Sequence, residues 1–348
     1  MHRKPQIVVV TPALADANNG NWRTARRWAR MLGSAYRVRL TKSWSPLDSL
    51  AAGDELMIAL HARRSAASVA AWHSARGSAP LLLALTGTDL YRDIDDDTDA
   101  QRSLAWADGL VVLNELGPAR LPEAYRRRCE VVLQSCTARR PVAAKPQRLA
   151  RALMVGHLRA EKDPGTWFRA VRRLALRADL RFDHIGEALE PRLADEARAL
   201  MQQVPAYRWL GARLHAETRR RIQSAHVLVH PSVMEGGAQV VIEAIRSGTP
   251  VLASRMDGNV GLLGADYGGY FDVGDDRGLA ALLERTRDDP AMLPTLARQI
   301  ERRAPLFAPE AESAALHRVV RRLLADRPPL PSVHAAAHPI PTPAGDTR

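Results

Sequence analysis

The chain has 348 residues, 46% hydrophobic and 25% charged. That is too long for one compact core and apolar enough to bury two, which excludes a small single module and a disordered or fibrous protein. The formal charge of +12 would suggest a nucleic acid or an anionic membrane, but only four of the 50 basic residues are lysine. The rest are arginines scattered along an Ala-rich chain, a genome-wide composition bias that leaves anionic small substrates as the plausible partners and predicts no nucleic acid and no stable membrane association.

In chain order, short apolar runs predict strands at Gln6–Thr11, Tyr36–Thr41, Leu56–His61, Pro80–Leu85, Leu110–Leu113 and Val131–Gln134, alternating with Ala/Arg/Leu segments. Thr137–Ala150 carries Pro141, Pro146 and four basic residues and reads as a linker. A second alternation follows, with strands at Ala152–Gly156, Phe182–Gly186, Tyr207–Leu210, Val227–His230 and Pro250–Ser254 and helices starting near Pro164, Pro191, His215 and Gly237. The expectation is an α/β protein of two Rossmann-like domains facing an interdomain cleft, since open parallel sheets bind ligands beyond their carboxyl ends. Its boundaries are 1–140 for the first domain, 141–150 for the linker, 151–308 for the second domain, 309–326 for a helix packing back on the first domain, and 327–348 for a disordered tail with six prolines.

Cys129 and Cys136 form neither a disulfide framework nor a zinc quartet, so both read as buried thiols in a reducing cytoplasm. No apolar run is long enough for a membrane span, and Met1–Pro5 lacks a signal-peptide stretch, so the protein is expected to stay in the cytoplasm.

The stretch Pro231-Ser-Val-Met-Glu235-Gly-Gly-Ala-Gln-Val-Val-Ile-Glu243 ends a strand at a Gly-rich turn and opens a helix, leaving N–H groups and a positive dipole for a phosphate. Gly236 and Gly237 give room for a ligand. If the intervening segment is helical, Glu235 and Glu243 lie ~80° apart around the axis and ~12 Å apart along it. A nucleotide sugar spans that distance, with its hexose at Glu235, its diphosphate over Gly237, Ala238 and Gln239, and its ribose at Glu243. The bland alternative makes Glu235 a helix cap and Glu243 a solvated residue. Arg159 and Lys162, at the turn after the strand ending in Gly156, can neutralise a diphosphate leaving group, or they are solvated turn residues.

Gly156…Arg159…Lys162, then Trp209-Leu210-Gly211, Pro231-Ser232…Glu235-x7-Glu243 and Gly248-x-Pro250-Val251 together resemble the second domain of retaining GT-B glycosyltransferases of family four, over roughly residues 152–285. The resemblance implies that Glu235 contacts donor-sugar hydroxyls, Glu243 the ribose, Arg159 and Lys162 the diphosphate, and the Leu210–Gly211 backbone the base. Many members place Arg directly after the glycine, where this chain has His157, so the arginine role is carried to Arg159.

Asn18-Asn19-Gly20-Asn21-Trp22 and Leu85-Thr86-Gly87-Thr88-Asp89-Leu-Tyr91 in the first half, with Arg255-Met-Asp-Gly258-Asn259-Val-Gly261 in the second, resemble the selenosugar synthase group of selenoneine biosynthesis. That group joins selenophosphate to UDP-N-acetylglucosamine and needs no cofactor. Read alone, Gly20–Asn21 opens a helix whose Ala25, Trp28, Ala29 and Leu32 mark one face and whose Arg23, Arg26, Arg27 and Arg30 mark another: a core helix with a solvated Arg face, a helix lying on an anionic membrane, or an anion site at its N-terminus with Arg23, the solvated face being the expectation for Arg26, Arg27 and Arg30. Gly20, Asn21, Arg63, Thr86, Gly87 and Thr88 are strand-end groups able to bind an anionic acceptor; the alternatives are a surface Arg63 or His61 and an ordinary turn capped by Asp89. Asp93-Ile-Asp95-Asp96-Asp97 reads as a solvated acidic loop, and no metal is expected. Other readings are a hexosyltransferase with a lipid or glycan acceptor and a non-catalytic nucleotide-sugar-binding protein. A nicotinamide enzyme is disfavoured because no Gly-x-Gly-x-x-Gly follows an early strand.

Overall fold

The computed structural model describes residues 3–13, 20–142, 145 and 148–325. Asn18, Asn19 and the Pro-rich tail lie outside the described residues.

Among the described residues, twelve strands form two parallel six-stranded sheets. The first contains β1 (Gln6–Val10), β2 (Arg37–Thr41), β3 (Asp54–Leu60), β4 (Leu81–Leu85), β5 (Gly109–Val112) and β6 (Cys129–Val131), in the order β2-β1-β3-β4-β5-β6. The second contains β7 (Ala150–Val155), β8 (Leu180–Ile185), β9 (Tyr207–Trp209), β10 (Val227–His230), β11 (Val251–Ser254) and β12 (Tyr270–Phe271), in the order β12-β11-β10-β7-β8-β9. β1, β4, β5, β10 and β11 are buried at every residue, as strands covered by helices on both faces must be. Each sheet has its own apolar core, one around Trp72 and Leu83 with a second face on Ile7 and Trp28, the other around Trp167, Phe182 and Leu228.

Helices begin at Pro164, Pro191 and His215 as expected, the first capped by Asp163 through its side chain. Three expectations are corrected. The sixth strand is Cys129–Val131 rather than Val131–Gln134, because it pairs with β5 at the sheet edge before the chain turns towards the second domain. The helix near Gly237 starts at Gln239, and Glu235 through Gly237 are non-helical, so the helical separation between Glu235 and Glu243 does not apply. The acidic run is no loop: Asp93 ends a π-helical turn, Asp95 and Asp96 are helical, and Asp97 caps the helix Thr98–Trp106 through the Ala100 N–H. Both cysteines are free but only partly buried, and burial pushes their thiols up to about 12 for Cys129 and about 11 for Cys136.

The helix Pro309–Ala325 lies on the first sheet, with Leu316, Val319, Val320 and Leu323 in one core with Ile7, Val9, Ala25 and Trp28. Its buried Glu312 accepts from Arg27 Nε at 2.8 Å, Trp28 Nε1 at 2.8 Å and the Ser135 N–H at 2.8 Å, so Arg27, its side chain 14% exposed, does not face solvent as expected. A buried carboxylate is tolerable only with such saturation, which anchors the last helix to the first. Among the described residues, no helix is long and apolar enough to cross a membrane.

Candidate active site

The segments leaving β4, β5 and β6 meet those leaving β10 and β11. Asn114 Nδ2 donates to the Gly236 carbonyl at 2.7 Å and to the Tyr91 hydroxyl at 2.9 Å. A β-carbon on Gly236 would stand 2.4 Å from the Thr86 carbonyl oxygen, one on Gly237 2.9 Å from Leu113 Cβ, and one on Gly261 2.6 Å from Asn114 Oδ1. The space that Gly236 and Gly237 leave is therefore taken by the opposite domain. Rather than opening a path for a ligand, these glycines let the two domains close on each other.

Glu235 sits beside this contact with its side chain 14% exposed. It does not cap the following helix, whose N-cap is Ala238. Instead Oε1 pairs with Lys162 Nζ and lies 3.5 Å from His230 Nε2. Burial opposes ionisation, but the Lys162 charge and the neighbouring His230 ring outweigh it and hold the carboxyl well below the usual range. Lys162 closes a short 3-10 turn, Ala160–Lys162, followed by Asp163 in the left-handed conformation at φ 43°. Its stem packs where a β-carbon on Gly156 would meet it at 3.5 Å.

Arg159 precedes that turn, 3.8 Å from Glu161, and its Nε is buried without a hydrogen-bond partner. His157 is exposed, yet the groups packed around it and the charges of Arg159, Lys162 and Arg23 lower its pKa. Arg23 comes from the first helix of the first domain, so cations of both domains converge at the mouth of the cleft. That is the electrostatic environment a diphosphate requires.

Glu243 is 2% exposed, which removes the reading of a solvated face. Its Oε1 meets His215 Nε2 at 2.6 Å. The sequence reading missed His215 because a histidine opening an exposed helix carries no motif. Leu210 donates its N–H to the His184 carbonyl, and Gly211, at φ 67°, accepts from Gly186 N at 3.0 Å. The Gly211 α-carbon faces open space. Gln239 Nε2 donates to the Ser135 carbonyl at 3.2 Å, while its buried Oε1 has no partner.

On the first domain, Gly20 opens its helix into open space and Asn21 is half-buried beside it. The backbone N–H groups of Thr86 and Gly87 both donate to Asp89 Oδ1, at 2.9 and 2.8 Å, and Ala62 N donates to Oδ2 at 3.0 Å. Those two N–H groups are committed inside the protein, and Asp89 ties the end of β3 to the end of β4 instead of merely capping a turn. Arg63 Nε pairs with Asp93 at 3.0 Å while its side chain stays 41% exposed. His61 is no surface residue: it is buried at φ 74°, its Nε2 is 3.0 Å from Thr88 Oγ1, and burial lowers its pKa despite Asp89 and Asp93. A strained, buried histidine at a strand end is the feature that periodicity could not reveal.

Residues 137–307 match the family described as glycosyl transferases group 1. No curated protein matches the chain. Among solved structures, sucrose-phosphate synthase from Thermosynechococcus elongatus superposes with a TM-score of 0.73 at 19% identity, over 93% of this chain and 100% of that one. HepE from Anabaena in complex with UDP-glucose gives 0.72 at 14% identity, over 91% and 99%. TarM from S. aureus, in a complex containing alpha-GlcNAc-glycerol and UDP, gives 0.63 at 11% identity, over 77% and 55%. Residues 137–307 are thus similar to a group 1 glycosyl transferase domain, and the chain has the GT-B fold of two Rossmann-like domains.

Proposed function

We propose that the protein is a selenosugar synthase, a glycosyltransferase that couples selenophosphate to UDP-N-acetylglucosamine and gives 1-seleno-N-acetylglucosamine, UDP and phosphate. The donor half of this reading is supported by the cations around His157, the buried Glu243 and the UDP-sugar held by the similarly folded HepE. The acceptor half rests on the resemblance of the first domain and, in the structure, on one observation. The Thr86 carbonyl lies against Gly236, next to Glu235, which favours a compact acceptor over an extended glycan or a lipid chain.

In this reading the donor's diphosphate is held by Arg159, Lys162 and the backbone at Ala238 and Gln239, where the helix opens beyond the two glycines that the first domain covers. Its ribose meets Glu243, and its base the Leu210–Gly211 backbone. Glu235 receives the sugar hydroxyls. Selenophosphate is already an anion with a polarisable selenium, so the attack needs positioning rather than a base. Gly20, Asn21, Arg63 and the Thr88 hydroxyl line the side from which it approaches. The selenium–C1 bond forms as the bond from C1 to the UDP oxygen breaks, and negative charge grows on the diphosphate beside Lys162. Water then cleaves the selenium–phosphorus bond and releases phosphate. No metal is assigned a role. The site acts in the cytoplasm on two small molecules.

Incubation with UDP-N-acetylglucosamine and selenophosphate, read by mass spectrometry, tests the proposal. A selenosugar formed together with UDP supports it. Transfer to a sugar hydroxyl with no selenosugar refutes the acceptor assignment and leaves a glycosyltransferase with another acceptor.

A further inference from the structure

His230 ends β10 at 1% exposure, five residues before Glu235 and outside every role assigned above. Its Nδ1 is buried without a hydrogen-bond partner. The polar neighbours of its ring gather on the other nitrogen: Nε2 lies 3.3 Å from Ser232 Oγ and 3.5 Å from Glu235 Oε1. An unpaired buried N–H costs more than an unpaired buried acceptor, so the neutral ring keeps its proton on Nε2, and the charged ring has one there as well. Either way an N–H faces Glu235.

Lys162 and His230 address the same oxygen, Oε1. In the structure Lys162 holds it and His230 stands slightly beyond hydrogen-bond length, closer to Ser232. A diphosphate at the cationic mouth attracts Lys162, which cannot fully serve both anions. Without another donor, Glu235 would then be left as a mostly buried carboxylate short of a partner, a costly state. Resting on the donor-site reading above, we propose that His230 is the positioning residue that takes over Glu235 Oε1 as Lys162 turns to the diphosphate, keeping Oε2 aimed at the donor sugar. The Lys162–Glu235 pair is then the resting arrangement, and His230 with Ser232 its reserve.

The readout is the difference between the affinities for UDP-N-acetylglucosamine and for UDP, measured by calorimetry on the full chain, together with turnover. His230→Leu is expected to bind UDP like the wild type and to lose the sugar's contribution, with kcat reduced roughly ten- to a hundredfold. His230→Gln, whose side-chain N–H can occupy the place of Nε2–H, is expected to recover most of both. A purely structural role predicts instead that UDP affinity falls too and that Gln rescues nothing, which overturns the proposal, as does a Leu variant with unaltered sugar affinity and kcat. A wild-type protein that binds no UDP overturns the donor-site reading itself, and the proposal with it.

Discussion

Gly236 and Thr86, in different domains, touch backbone to backbone: a β-carbon on Gly236 would stand 2.4 Å from the Thr86 carbonyl oxygen. Backbone atoms cannot give way as a flexible side chain can, so Gly236→Ala must hold the domains apart by at least part of that overlap. UDP affinity should survive, because the proposed donor site lies in the second domain. Turnover should fall by about tenfold or more, since misplacing reacting groups by about an ångström can cost a hundredfold. A Gly236→Ala enzyme with normal turnover would show that the contact has no part in the reaction.

Glu243→Ala is expected to weaken UDP binding by about 1.5–3 kcal/mol for each charge-assisted hydrogen bond removed, with a smaller effect on kcat, because the proposed ribose contact would persist through the reaction. The Glu243–His215 pair at 2.6 Å adds a second expectation: His215→Ala leaves Glu243 without that partner and changes UDP affinity as well. Calorimetry with UDP checks both, and unchanged affinity in Glu243→Ala removes it from the site.

Lys162→Ala should behave differently. Charge grows on the diphosphate as the glycosyl bond breaks, so kcat is expected to fall by more than donor affinity. An unaltered rate at saturating donor contradicts that role.

Much of this was legible from the chain. β-branched and Leu runs placed the strands within a few residues, and prolines at 164, 191 and 309 marked helix starts that the structure reproduces. The two-residue strand Tyr270–Phe271 escaped because it is too short for periodicity to register. The Gly-rich turn announced a special backbone, but sequence alone cannot distinguish a glycine that admits a ligand from one that admits a neighbouring domain. His61, His215 and His230 carry no spacing signal, since their partners Thr88, Glu243 and Glu235 are set by the meeting of strand ends.

A stability prediction comes from His184. Fully buried, it lies 3.0 Å from the Gly156 carbonyl through Nε2 and 3.1 Å from the Tyr207 hydroxyl through Nδ1, and burial lowers its pKa to about 4. A histidine whose folded pKa lies below its unfolded value of about 6.5 leaves stability intact above that value and withdraws it as pH falls towards 4. The loss amounts to about 3 kcal/mol for this group. Urea titrations across that range should show the decline in the wild type and a flatter profile in His184→Gln, whatever its starting stability. Equal slopes would remove His184 as the source.

The central claim concerns the acceptor. Selenophosphate and a sugar alcohol, offered together at equal concentration with UDP-N-acetylglucosamine, compete directly for one donor, and mass spectrometry reads both products. The account predicts that the selenosugar dominates, that inorganic phosphate or thiophosphate suppresses its formation, and that Arg63→Ala raises the KM for selenophosphate while UDP binding is retained. Dominant transfer to the sugar hydroxyl, with no carbon–selenium product, would contradict it.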